Sequence, residues 1–157
     1  WTRFHLASDA HKLTTQSPKD SATVTFDALG DGVTFLTEPM AEATEITGPV
    51  AAKLNISSST EDADIFLVLR VFAPDMREVV FQGALDPHTP IGQGWLRASH
   101  RKLDKKLTLP FRPYHTHDQK QPLEPGQVYE LDIEIVPTSI VVPKGYYDVF
   151  ATFVFVK

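Results

Sequence analysis

The sequence predicts an all-β domain, a two-sheet jelly-roll β-sandwich, and three observations carry that reading. Apolar residues repeat with a period of two: Tyr129, Leu131, Ile133 and Ile135 alternate with Glu130, Asp132 and Glu134. Successive side chains therefore point to opposite faces of a sheet, apolar groups toward a core and carboxylates toward water, a pattern that no helix satisfies. Turn residues bound these runs. Pro125-Gly126 opens this strand and Pro143-Lys144-Gly145 closes the one after it. Finally, short strands are joined by long proline-rich connections, which is the punctuation of a sandwich rather than of an α/β fold.

In chain order, Trp1–Leu6, Ala22–Phe26 and Val33–Leu36 are candidate strands, the last two separated by Gly30-Asp31-Gly32. Val50–Ile56 turns Val50, Ala52, Leu54 and Ile56 inward. Ile65–Phe72 sets Ile65, Leu67, Leu69 and Val71 against Phe66, Val68, Arg70 and Phe72, so both faces are apolar and a central position is expected. Pro74-Asp75 turns into a return strand at Val79–Gln82, and Trp95–Ser99 forms a further strand. Gly83–Gly94 and Lys105–Gly126 are the long connections, spaced by six prolines. Only Glu61–Asp64 and His100–Lys106 offer a turn or two of helix. Residues 147–157 alternate again, but with apolar groups on both faces, which demands burial on both sides or an exposed edge.

Length and composition fit one domain over residues 1–157. The chain has 157 residues, is 42% hydrophobic and carries a net charge of -5. That is enough apolar material for one core and no footprint for nucleic acid. The locally basic run Arg97, His100, Arg101, Lys102, Lys105, Lys106 is interrupted by Asp104 and reads as a solvated face. No apolar run approaches membrane-spanning length, so neither nucleic acid nor membrane is an expected partner. With no cysteine there is no disulfide and no thiolate metal site; a cytoplasmic location is the matching expectation.

The segment PLEPGQVYELDIEIVPTSIVVPKGY, residues 122–146, resembles the C-terminal domain of the X-Pro dipeptidyl-peptidase and cocaine-esterase (CocE/NonD) family of serine hydrolases. The resemblance lies in the Leu123-Glu124-Pro125-Gly126 turn, the Pro137-Thr138-Ser139 step and the Lys144-Gly145-Tyr146 turn. Three further stretches fit in order: WTRFHLASDAHKL at the start; the block holding Thr37-Glu38-Pro39 and Gly48-Pro49-Val50; and GWLRASHRKLD from Gly94. The resemblance implies a galactose-binding-like jelly roll whose partner is an α/β-hydrolase domain, with self-association as a further arrangement and no cofactor. It implies a structural role, in which the domain packs on the hydrolase domain, stabilises it and walls its substrate cleft. Family members usually continue after the last turn as Arg-Ile-Ala-Leu-x-Ile, whereas here YDVFATFVFVK follows. The domain is therefore expected to be truncated or altered after about residue 146, and the start at Trp1 reads as that of an excised piece.

No catalytic residue is expected. No serine has glycines two residues before and after it, as a nucleophile elbow requires. Ser99 and His100 are neighbours that strand geometry would send to opposite faces. By resemblance, the catalytic triad belongs to the hydrolase domain and matches nothing here. The motif His115-Thr116-His117-Asp118 offers two imidazoles and a carboxylate as weak metal candidates, with His88 or His100 able to add a ligand only through the fold. The ligand count favours no metal, and a polar loop whose histidines bond to backbone or water. Trp95, Phe111 and Tyr114 are candidate ligand-binding aromatics, joined by Tyr146 and Tyr147, for an alternative reading as an independent carbohydrate- or ligand-binding jelly roll.

Overall fold

The computed structural model describes residues 1–147 and the backbone of 152–156. Its strands are β1 (His5–Ala7), β2 (Lys12–Thr14), β3 (Thr44–Ile56), β4 (Asp64–Leu69), β5 (Val71–Phe72), β6 (Glu78–Val79), β7 (Gly92–Arg97), β8 (Tyr129–Val142) and β9 (Thr152–Val156). Five of them form one antiparallel sheet in the order β3-β8-β7-β4-β9, and β1-β2 and β5-β6 form two-stranded ribbons. The fold is all-β, as the alternation predicted. Among the described residues no helix is long and apolar enough to cross a membrane.

The long pair β3–β8 runs from Thr44 opposite Val142 to Ile56 opposite Tyr129. The two strands expected around Pro137 are one continuous strand, because the register shift between Gly48 and Val50 absorbs the prolines. Pro49 and Pro137, which cannot donate to the ladder, both fall at that bulge, and Gly48 there has φ 111°. The inward face of β8 supplies Leu131, Ile133, Ile135 and Val142, and that of β4 supplies Ile65, Leu67 and Leu69, all buried. Val33, Phe35, Val71, Ile91 and Leu123 close the core from the other side, with Leu6 and Leu13 of the first ribbon packed against it. Fully burying each large aliphatic side chain contributes about 1.5–3 kcal/mol.

Gly92 and Gly94 of β7 point at this core. At Gly94 a Cβ would overlap the carbonyl oxygen of Glu134, so only glycine lets β7 meet β8 at the Gly94–Ile135 partnership.

Several boundaries differ from expectation. Trp1–Leu6 yields only the short β1, and Ala22–Phe26 is not a strand. Val33–Leu36 enters only through isolated bridges, Leu36 pairing in parallel with Lys12. The run Ile65–Phe72 breaks at Arg70, whose guanidinium holds Glu78 at 2.6 Å and starts the separate β5-β6 ribbon. The return strand is Glu78–Val79, with Phe81 bridging Thr89 beyond it. The strand expected at Trp95–Ser99 starts earlier, at Gly92, and its end curls into a 3-10 turn at Ala98–His100. Neither expected helical stretch forms a helix of its own: Glu61–Asp64 and Arg101–Lys106 are mostly bend, turn and irregular backbone, and His100 only ends the 3-10 turn. Of the alternation expected over 147–157, residues 148–151 and 157 lie outside the described residues. Residues 152–156 pair with β4 at the end of the sheet.

Candidate functional site

Alternation on β4 and β7 leaves a second set of residues on the outward side of the sheet. Phe66 and Trp95 are register partners, as are Asp64 and Arg97 two residues along each strand. Trp95 is 63% exposed and Phe66 38%, so β4 sits inside the sheet with one apolar face open to solvent. The Arg97 guanidinium makes two parallel hydrogen bonds to the Asp64 carboxylate, each 2.7 Å. These four side chains border a groove of about 380 Å³, whose other wall carries His100, His115 and His117.

That wall is built by the connection that follows β7. Ser99 is fully buried, and its hydroxyl and backbone amide both donate to Asp62. Burial pushes the Asp62 carboxyl up, but the hydrogen bonds from Ser99 and Ala63, helped by Lys120, outweigh it and hold the group below 3.8. Arg101 donates to the carbonyls of Ala98 and Gln121 and lies over the Tyr129 ring, 4.5 Å from its centroid. Residues 102–104 and 114–116 then run antiparallel. Thr116 N–H donates to the Lys102 carbonyl, Asp104 N–H donates to the Tyr114 carbonyl, and Leu103 bridges His115. Lys102 and Asp118 close the end at 3.0 Å.

This folding-back brings His100 beside His117, with their Nδ1 atoms 3.2 Å apart. His117 has φ 53°, a left-handed conformation that costs a non-glycine residue about 1–2 kcal/mol. The His115 ring centroid lies 5.9 Å from that of His117. His115 Nε2 is buried without a hydrogen-bond partner. Burial, reinforced by His117, holds this imidazole below the usual histidine range, against a hydrogen bond to the Asp132 backbone and the carboxylates of Asp132 and Glu134.

The groove thus gathers Trp95, His115 and His117 from the sequence-derived candidates and adds His100, Phe66 and the Asp64–Arg97 pair. Asp118 does not line the groove and accepts from Lys102 and Thr116. Phe111 stacks on Trp1, with centroids 3.6 Å apart, and neither it nor the half-exposed Tyr114 lines the groove. Ser99 and His100 share no chemistry. The serine is sealed in and bonded to Asp62, while the histidine faces the groove. Among the described residues no group of three or more His, Asp or Glu stands in metal-holding geometry. His100 was the least legible member, because its place depends on the 3-10 turn that ends β7.

Comparison with known proteins gives three findings. The family profile described as "X-Pro dipeptidyl-peptidase C-terminal non-catalytic domain" matches residues 3–146. A protein of Mycobacterium bovis named "Putative serine esterase" is 29% identical over 119 residues, covering 73% of this chain and 17% of the relative; a Mycobacterium tuberculosis protein of the same name matches equally. The crystal structure of a CocE/NonD family hydrolase from Staphylococcus aureus superposes with a TM-score of 0.89 at 23% identity, over 94% of this chain and 27% of that one. The chain therefore spans less than a third of the length of each of these relatives.

Proposed function

Because this chain belongs to the family of X-Pro dipeptidyl-peptidase C-terminal non-catalytic domains, we propose that it is the accessory β-sandwich of a serine hydrolase. Its role is to pack on an α/β-hydrolase domain, stabilise it and contribute one wall of the substrate cleft. The observation that carries the reading is the profile match, which takes in nearly all the described residues of a chain far shorter than its relatives. The exposed Phe66–Trp95 pair supports it, since aromatic residues opposite one another and left in water on a sheet face suit a protein interface. The reaction of the parent, hydrolysis of an ester or an X-Pro peptide, belongs to the same proposal and not to this chain's own residues.

The test supplies the hydrolase region of a family member, without its own matching segment, and titrates in this chain. A saturable one-to-one complex and a higher melting temperature for the hydrolase region are expected, with Phe66→Glu and Trp95→Glu weakening both. Absence of association at high micromolar concentration contradicts the reading.

A second reading has one observation of its own. Trp95 is open beside the Asp64–Arg97 pair and three imidazoles, a stacking face flanked by hydrogen-bonding groups. An independent carbohydrate-binding module requires calorimetric affinity for a glycan that Trp95→Ala removes.

A further inference from the structure

We propose that the hairpin of residues 104–114, with Trp1 stacked on its tip, is the anchor by which this chain seats on the α/β-hydrolase domain of its parent. The inference rests on the accessory reading and gives it a specific surface. His115, the residue after Tyr114, lines the groove that Phe66 and Trp95 border, so the hairpin and the aromatic pair adjoin one groove.

The hairpin is held by its own hydrogen bonds. Asp104 Oδ1 accepts from the amides of Lys106 and Leu107, and the Asp104 carbonyl accepts from the Thr108 amide. Leu109 and Arg112 exchange both backbone hydrogen bonds, 3.0 and 3.1 Å, around Pro110-Phe111. The Thr108 hydroxyl donates to the Tyr114 carbonyl and accepts from the Tyr114 amide, which ties the two limbs together. Arg112 Nε donates to Glu134 at 3.2 Å and so fastens the hairpin to the outward side of β8. A segment already ordered in this way loses little conformational freedom when it binds.

Its apolar side chains nevertheless stand in water. Leu107, Leu109 and Tyr114 are half-exposed or more open, and the well-exposed Trp1 stacks face to face on Phe111. Single exposed leucines are ordinary, but an apolar set on one short, ordered hairpin marks a contact surface. The path of the chain says what covers it. The family profile describes a C-terminal domain and matches from residue 3. On the accessory reading the hydrolase polypeptide therefore enters through Trp1, the ring stacked on the hairpin tip, and the link between the two domains starts at the hairpin itself. Exposed Lys105 and Lys106 border the apolar set. The receiving surface is accordingly an apolar depression edged by carboxylates.

The test titrates the chain into the hydrolase region of the Staphylococcus aureus CocE/NonD family hydrolase, freed of the part that superposes on this chain. Calorimetry and stopped-flow association are the readouts. Leu107→Asp/Leu109→Asp should weaken the complex at least about tenfold. Leu85→Asp, at an exposed leucine on the other long connection, should leave it unchanged. Lys105→Glu/Lys106→Glu should slow association and flatten its salt dependence. Unchanged melting temperatures show that the variants fold. A complex that ignores the Leu107→Asp/Leu109→Asp change, or that Leu85→Asp disrupts as strongly, overturns the anchor and leaves the accessory reading standing. Failure of the unaltered chain to bind contradicts that reading, and the anchor falls with it. Binding of the chain alone to phosphatidylcholine–phosphatidylglycerol vesicles, lost in the same double variant, overturns the proposal by giving the hairpin a lipid surface instead.

Discussion

Asp62 is where single residues decide most in this chain. Its carboxylate receives the Ser99 hydroxyl at 2.6 Å, the Ser99 amide at 2.9 Å and the Ala63 amide at 3.0 Å. It thereby fixes the turn that carries His100 to the groove. Its folded-state pKa lies below the ordinary 3.8, so in acid the unfolded chain binds more protons than the folded one. The contribution is full above about 3.8 and is lost as pH falls through the depressed value. Asp62→Ala leaves a buried serine hydroxyl and amide unpaired. A loss of about 1–3 kcal/mol near neutral pH is expected, with the gap to the parent chain narrowing below 3.8. Urea midpoints measured across that range check it, and a gap that stays constant into strong acid contradicts it. In the core, Ile133 is 0% exposed. Ile133→Ala should cost about 2–5 kcal/mol in the same measurement.

Elements were legible from the sequence where period two coincided with turn residues and a buried face. β8 was readable because Leu131, Ile133 and Ile135 face the core while Glu130 and Glu134 face out toward Lys53 and Arg112. Ala22–Phe26 carried the same alternation without a partner strand, and the sequence cannot show which edge is free to pair. Register was equally hidden. Nothing local says that Phe66 meets Trp95, so the sequence offered Trp95 as a candidate ligand-binding aromatic without showing that it stands in water opposite Phe66. The histidine wall depended on a turn and on a long-range hydrogen bond from Gln121 to Ser99, neither of which has a periodicity. The contact between β7 and β8 gives an element-scale test. A Cβ on Gly94 meets backbone, the Glu134 carbonyl and the Ile135 Cα, whereas one on Gly92 meets methyl groups of Leu69 and Ile135 at 3.2 and 3.3 Å. Gly94→Ala should therefore cost about 1–3 kcal/mol or more, and Gly92→Ala distinctly less, because side chains can yield and a paired strand cannot. Equal losses in thermal unfolding contradict this packing.

At the scale of the whole molecule, a continuous aliphatic core supports an outward surface of ion pairs and one aromatic patch. Pairs such as Lys12–Glu38 and Lys53–Glu130 are well exposed and screened by solvent, so stability rests on the core. The order of the sequence motifs carried the family; the exposed Phe66–Trp95 pair became visible only with the strand register. On the proposed reading this chain is scaffold: Ser99 is buried and bonded to Asp62, and the reactive serine would come from another part of the parent protein. The most direct measurement is turnover of a p-nitrophenyl ester by the isolated chain at high micromolar concentration. Release of p-nitrophenol at the buffer rate, unaffected by a serine-reactive fluorophosphonate, is the expected result; saturable turnover abolished by that reagent would contradict the account.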